Sequence, residues 1–327
     1  MGRKRRLALL ALLGAAIVPG TWLRTAPKPP DKRPILEMRE LAVEQASVGQ
    51  LTVEGLWHLT SPNSLFGGYS GLVALSADEL LAVSDQGSWL RFSTSGQARS
   101  PQFGELNRRR LGDKRQVDAE AATYDPVGGQ LWIAYEGSNT IERGPLSMDK
   151  VQSIEPEEMS RWWSNSGPEA MARLPDGRFL VLGEGSPDLV DEGFPGLLFD
   201  RDPVDGEEAV AFAFIAPDGY RATDMAALAD GRVLILLRGI EGFVPPQFSA
   251  KLVLAHATDI AAGKAWSGEE IATLGGAVPA DNFEGLAAIP DRDGGFTLWL
   301  ISDDNGAALQ RTLLYRLHWD PQPSAER

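Results

Sequence analysis

Asp281-Asn282-Phe283-Glu284-Gly285-Leu286-Ala287-Ala288-Ile289, followed after a turn by Leu298-Trp299-Leu300-Ile301-Ser302-Asp303-Asp304-Asn305, is the stretch from which the rest of the chain can be read. It holds an acidic residue, a short apolar run, a turn, and a second apolar run that ends on acid. Four further copies precede it. Gly71-Leu72-Val73-Ala74-Leu75 is followed by Leu81-Ala82-Val83-Ser84-Asp85, and Glu120-Ala121-Ala122-Thr123-Tyr124 by Leu131-Trp132-Ile133-Ala134-Tyr135-Glu136. Glu169-Ala170-Met171-Ala172 precedes Phe179-Leu180-Val181-Leu182-Gly183-Glu184, and Asp224-Met225-Ala226-Ala227-Leu228 precedes Val233-Leu234-Ile235-Leu236-Leu237-Arg238. Anchored on Ser70, Glu120, Glu169, Asp224 and Glu284, the copies step by 50, 49, 55 and 60 residues.

A repeat of about 50 residues, made of apolar runs too short and too Gly-broken for helices, predicts an all-β fold of the β-propeller type. The turns are explicit at Asp125-Pro126-Val127-Gly128-Gly129, Pro175-Asp176-Gly177, Ala229-Asp230-Gly231 and Asp291-Arg292-Asp293-Gly294-Gly295, each joining two antiparallel neighbours. The runs are apolar at almost every position, so both faces of these strands are expected to be buried between blades. The last copy lacks one outer strand. Residues 51–59, ahead of the first copy, can supply it and so close the ring without an exposed edge. This favours five blades, and six stay open if a degenerate blade lies within the long fourth copy.

In a propeller blade the start of the innermost strand and the end of the next one lie on the same face of the disc. The starts are Ser70, Glu120, Glu169, Asp224 and Glu284; the ends are Asp85, Glu136, Glu184, Arg238 and Asp303. The expectation is a ring of up to eight carboxylates with one Arg around a central funnel. Crowded carboxylates raise one another's pKa or recruit a cation. Calcium suits such a set best, because it accepts many oxygen ligands in irregular geometry, whereas the chain has no Cys and only three His to hold zinc. Asn282 and Asn305 could add amide oxygens. In the plainer alternative these acids accept hydrogen bonds from loop amides and hold blades together. Other catalytic signals are poor. His58, His256 and His318 lie in or beside outer-strand runs, which disfavours a Ser-His-Asp triad. Gly68-Tyr69-Ser70-Gly71 lacks the final Gly of a nucleophile elbow, and there is no P-loop or dinucleotide fingerprint. Arg108-Arg109-Arg110 with Lys114-Arg115 reads as a solvated loop able to guide an anionic substrate, and Trp162-Trp163 as a lid or a core plug.

Residues 1–25 read as a signal peptide or an uncleaved membrane anchor: Arg3-Lys4-Arg5-Arg6 is a basic start, and Leu7 to Val18 an apolar run closed by Pro19-Gly20. The run is about 12 residues against the roughly 20 that span a bilayer, and Trp22-Leu23 could extend it. The Arg5-Arg6 pair is a weak twin-arginine signal. Export to the periplasm or beyond the cell is the expectation. A Pro-rich linker over 26–45, a single propeller domain over 46–322 and a short tail over 323–327 complete the division. The first 33 residues hold eight of the 31 basic residues and one of the 45 acidic ones, which leaves the remainder at −21. A body of that charge repels nucleic acid and anionic lipid, so a small-molecule substrate and a monomer are expected, with any membrane attachment at the N-terminus.

Several of these motifs together resemble a known family. Phe66-Gly67-Gly68-Tyr69-Ser70-Gly71-Leu72 with Ser84-Asp85, Arg221-Ala222-Thr223-Asp224 with Leu228-Ala229-Asp230-Gly231 and Arg238, and Asn282-Phe283-Glu284-Gly285-Leu286-Ala287 look like the phytase-like domain family, labelled "esterase-like activity of phytase". The resemblance covers about residues 50 to 320 and implies an exported β-propeller with a hydrolase label. The family's usual Arg after Ser-Asp is Gln86 here. Two readings follow. In one, Ca²⁺ in the funnel serves phosphoester or ester hydrolysis, with Glu284 or Glu120 as base and Arg221 and Arg238 holding an anionic group; a calcium-dependent lactonase is a variant of it. In the other, the propeller is a non-catalytic binding or scaffold module.

Overall fold

An apolar run with no polar face can bury itself only between two neighbours, and a ring of blades gives every inner strand two. The structure, a computed structural model, describes residues 29–44, 47–95, 99–107, 117–163, 166–185, 193–206, 208–241, 247–276, 278–292 and 294–321. It is a five-bladed propeller. The innermost strands of blades 1 to 5 are, in that order, Tyr69–Ser76, Ala119–Asp125, Pro168–Arg173, Tyr220–Ala227 and Phe283–Pro290, one to a sheet, and each lies against the innermost strands of its neighbours. No sixth blade occurs among the described residues. The long fourth copy instead lends Ala265–Trp266 to blade 3, where it pairs parallel with Ala209–Phe214.

Five core clusters fill the five gaps between blades, and alternate residues of one strand serve opposite gaps. Leu234 and Leu236 of blade 4 face blade 5, while Val233, Ile235 and Leu237 face blade 3. Trp132 and Ala134 of blade 2 face blade 3, while Leu131 and Ile133 face blade 1. This is why the strands read as unbroken apolar runs. The Asp-Gly turns of blades 3 and 4 are copies of one another. Asp176 and Asp230 accept the backbone N–H of Arg178 and Arg232 at 3.1 and 3.0 Å, and Gly177 and Gly231 take the left-handed conformation that the turn requires.

Closure is as the strand count requires. Leu51–Thr60 pairs antiparallel with Thr312–Trp319, from Leu51 opposite Trp319 to Leu59 opposite Thr312. Residues 31–41, expected within a linker, are instead laid on the propeller. Glu37–Glu40 pairs with Leu51–Thr60 on its outer side, and Ser64 donates its backbone N–H to the Asp31 carbonyl at 2.9 Å. The cause is apolar: Leu36 and Met38 pack on the cluster between blades 5 and 1, and Leu41 and Val43 on the next. The segment 1–25 and the tail 323–327 lie outside the described residues, as do Arg108-Arg109-Arg110 and Lys114-Arg115. No helix among the described residues is long and apolar enough to cross a membrane.

Candidate functional site

Each inner hairpin carries one unpaired residue near its start, a β-bulge that turns that side chain out of the ladder. The bulge residues are Ser70, Glu120, Glu169, Thr223 and Glu284. The fourth copy is therefore one residue out of the spacing expected from sequence: Thr223, and not Asp224, is equivalent to the three glutamates. The two hydroxyl-bearing bulges stitch blades. Ser70 donates to the Ala119 carbonyl of blade 2, and Thr223 to the Phe283 carbonyl of blade 5 at 3.1 Å.

Asp224 has a different task. It is fully buried and accepts the backbone N–H groups of Met225 at 2.8 Å, Leu286 at 2.7 Å and Leu72 at 3.4 Å, so it ties the inner strands of blades 4, 5 and 1. Burial pushes its carboxyl up, while the three donors favour the charged form. Its oxygens are occupied by the scaffold.

The residues that end each hairpin meet the starts on one face. The backbone N–H of Asp85, Glu136, Glu184 and Asp303 donates to the carbonyl of Gly68, Asp118, Gly167 and Asn282, at 2.9, 2.9, 3.1 and 2.8 Å. In blade 4 the corresponding pair is Arg238 opposite Arg221. Gly68 has to be glycine for this approach: it is left-handed at φ +68°, and a Cβ there would stand 2.2 Å from Asp85 Oδ1.

Eight carboxylates gather here: Asp85, Asp118, Glu120, Glu136, Glu169, Glu184, Glu284 and Asp303. Asp118 is the member that sequence spacing missed. It lies two residues before a bulge, the position that Asn282 fills in blade 5. Two triads are tight, Asp118-Glu120-Glu136 and Glu136-Glu169-Glu184, each with one oxygen per residue within 4.8 Å of the others. Burial and then like charges push five of the eight up. Asp85 rises to about 7 through burial, Glu284 and Asp118, and Glu136 to about 7 through burial, Asp118 and Glu184. Glu120, Glu169 and Asp303 are raised well above the usual carboxylate range, burial being the largest cause in each.

Two arginines answer this charge unevenly. Arg238, its side chain 19% exposed, pairs with Glu284 and donates to Asn282 Oδ1 at 2.9 Å, while Asn282 Nδ2 donates to Glu284 at 2.8 Å. Arg221, its side chain 57% exposed, pairs with Glu184. Between these pairs lies a part with no ion pair to a basic side chain among the described residues, around Asp118, Glu120, Glu136 and Glu169. Its all-carboxylate donor set fits a hard, oxygen-seeking cation. Asn305 meets Asp303 through its backbone N–H, at 2.8 Å, and its side chain is exposed. The three histidines lie in the outer strands, where His318 Nδ1 stands 3.2 Å from Asp291 in a turn on the far face.

A family described as phytase-like, with esterase-like activity of phytase, matches residues 64–306. No curated protein matches. Among solved structures, the WD40 β-propeller domain of Doa1 is 12% identical, with a TM-score of 0.40, over 84% of this chain and 97% of that one. A chain of a nidogen/laminin complex is 10% identical, with a TM-score of 0.44, over 86% and 96%.

Proposed function

The chain belongs to the phytase-like family, and on that premise we propose that its acidic face is the centre of an exported hydrolase of phosphoesters or carboxylic esters. The observation that carries the reading is the pair of carboxylate triads sharing Glu136, set between two arginines. Charge of one sign brought this close is costly unless a cation answers it. We assign that cation to Asp118, Glu136, Glu169 and Glu184, with calcium preferred for an irregular set of oxygens. When bound it would supply Lewis acidity toward a phosphoryl or carbonyl oxygen.

The chain's own groups do the rest. Arg221 at the mouth and Arg238 deeper in offer guanidinium forks for an anionic group. Glu120, which has no cationic partner among the described residues and would be ionised beside the cation, takes the proton from the attacking water as the water oxygen bonds to phosphorus or carbon, and returns it to the alkoxide oxygen as its bond breaks and the alcohol leaves. Glu284, bound to Arg238 and Asn282, becomes the group that positions that arginine. The substrate is then a small anionic ester, and the enzyme a monomer, periplasmic or secreted, whose first 25 residues are its leader or anchor.

The test is metal analysis of the purified protein with melting curves, joined to turnover of 4-nitrophenyl phosphate, 4-nitrophenyl acetate and a γ-lactone. Calcium at 100 times its Kd is expected to stabilise by about 2.7 kcal/mol, a rise of roughly 5 °C. Turnover should vanish in EDTA and in Glu120→Gln. No bound metal and no shift would sink the metal site. One observation favours a binding module instead: Glu284 and Glu184 already have arginine partners. Metal retained with no turnover on any ester is the outcome that reading expects.

A further inference from the structure

Trp162 and Trp163 part company in the structure. Trp162 is 7% exposed and its ring lies where a Cβ on Gly183 would be, 2.7 Å away, so it plugs the core between blades 2 and 3. Trp163 is 45% exposed, and no other Phe, Tyr or Trp among the described residues is exposed. An exposed apolar residue is ordinary in itself. This one is held in place. Its ring covers Gly185, where a Cβ would stand 2.8 Å from Cε3 and 3.0 Å from Cζ3. The loop bearing it is fastened to the same segment: Gly185 donates its N–H to the Ser166 carbonyl at 3.1 Å, Glu184 to Gly167 at 3.1 Å, and Ser166 to Trp163 at 3.0 Å.

Glu184, between the two glycines, belongs to the acidic triad and pairs with the exposed Arg221. A half-exposed guanidinium thus pairs with this carboxylate at the mouth of the site, and an exposed indole covers the glycine that follows it. We propose that Trp163 and Arg221 form a rim subsite for a flat, apolar group borne next to an anionic one, so that the ester taken by this site is an aryl ester with a phosphate or carboxylate. The aryl ring stacks on the exposed part of Trp163, and Arg221 turns to the anion the N–H groups that it does not use on Glu184. The substrate role rests on the hydrolase reading, but the subsite is a matter of binding and does not need turnover.

The experiment is calorimetric titration of the full chain in calcium with phenyl phosphate, methyl phosphate and inorganic phosphate. Wild type should bind phenyl phosphate roughly tenfold more tightly than methyl phosphate. That preference should vanish in Trp163→Ala and return in Trp163→Phe, while Arg221→Gln weakens all three ligands alike. Equal affinity for phenyl and methyl phosphate in wild type, a preference that survives in Trp163→Ala, or no binding of any of the three would overturn the proposal. An aryl preference without hydrolysis would leave it standing and remove the hydrolase reading instead.

Discussion

At Asp224, backbone N–H groups from the inner strands of three blades converge on one buried carboxylate. Asp224→Ala would strand those donors away from water, and an unsatisfied buried group costs about 1–3 kcal/mol. We expect urea unfolding to show a loss of about 3 kcal/mol for this variant, with cation binding per folded molecule unchanged. Glu136→Gln should behave in the opposite way, losing the cation while keeping stability. A variant at 224 that keeps its stability and loses the cation would contradict the assignment. The sequence displays the acid but not its direction. A bulge inserts one residue, Thr223, and a shift of one residue in a strand reverses the side of the ladder a side chain takes. Asp118 was legible only as a neighbour of Glu120, because nothing in a spacing argument says that the position two before the bulge also faces the ring.

Blades were easier to read than the residues on them. Apolar runs closed by Asp-Gly turns mark inner hairpins through local chemistry alone, and a strand missing after Thr312–Trp319 points to Leu51–Thr60. Two elements escaped for the opposite reason. Ala265–Trp266 is two residues long and pairs only because blade 3 is already in place, and the arm at 31–41 looks like linker until its Leu36 and Met38 find the cluster between blades 5 and 1. The closing strand makes the firmest test. A chain beginning at residue 61 would leave Thr312–Trp319 with an unpaired edge, which recruits other chains. Size-exclusion chromatography should find it aggregated or unfolded, whereas a chain beginning at residue 47 should run as a monomer. A monomeric, cooperatively melting product from the shorter chain would contradict this closure.

For the whole molecule, folding gathers, among the described residues, eight carboxylates from four blades against two arginines from the remaining one, blade 4, in a body whose net charge beyond residue 33 is already −21. The linkage has a definite sign. Asp85 and Glu136 titrate near pH 4 when unfolded and at about 7 when folded, so between those values the folded state holds more protons. Stability is then greatest at the acid end of that window and falls as pH rises through it. A cation in the ring competes with those protons and reverses the trend, because its ligands must be ionised to bind it. In EDTA the melting temperature is expected to fall steadily from about pH 4.5 to 7.5, and in calcium to stay level or rise over the same range. Calcium added near pH 6 should also release protons, measurable as a buffer-dependent heat. A melting temperature in EDTA that does not fall with pH would mean that the arginines and solvent already carry the ring's charge, and the reason for a cation there would be gone.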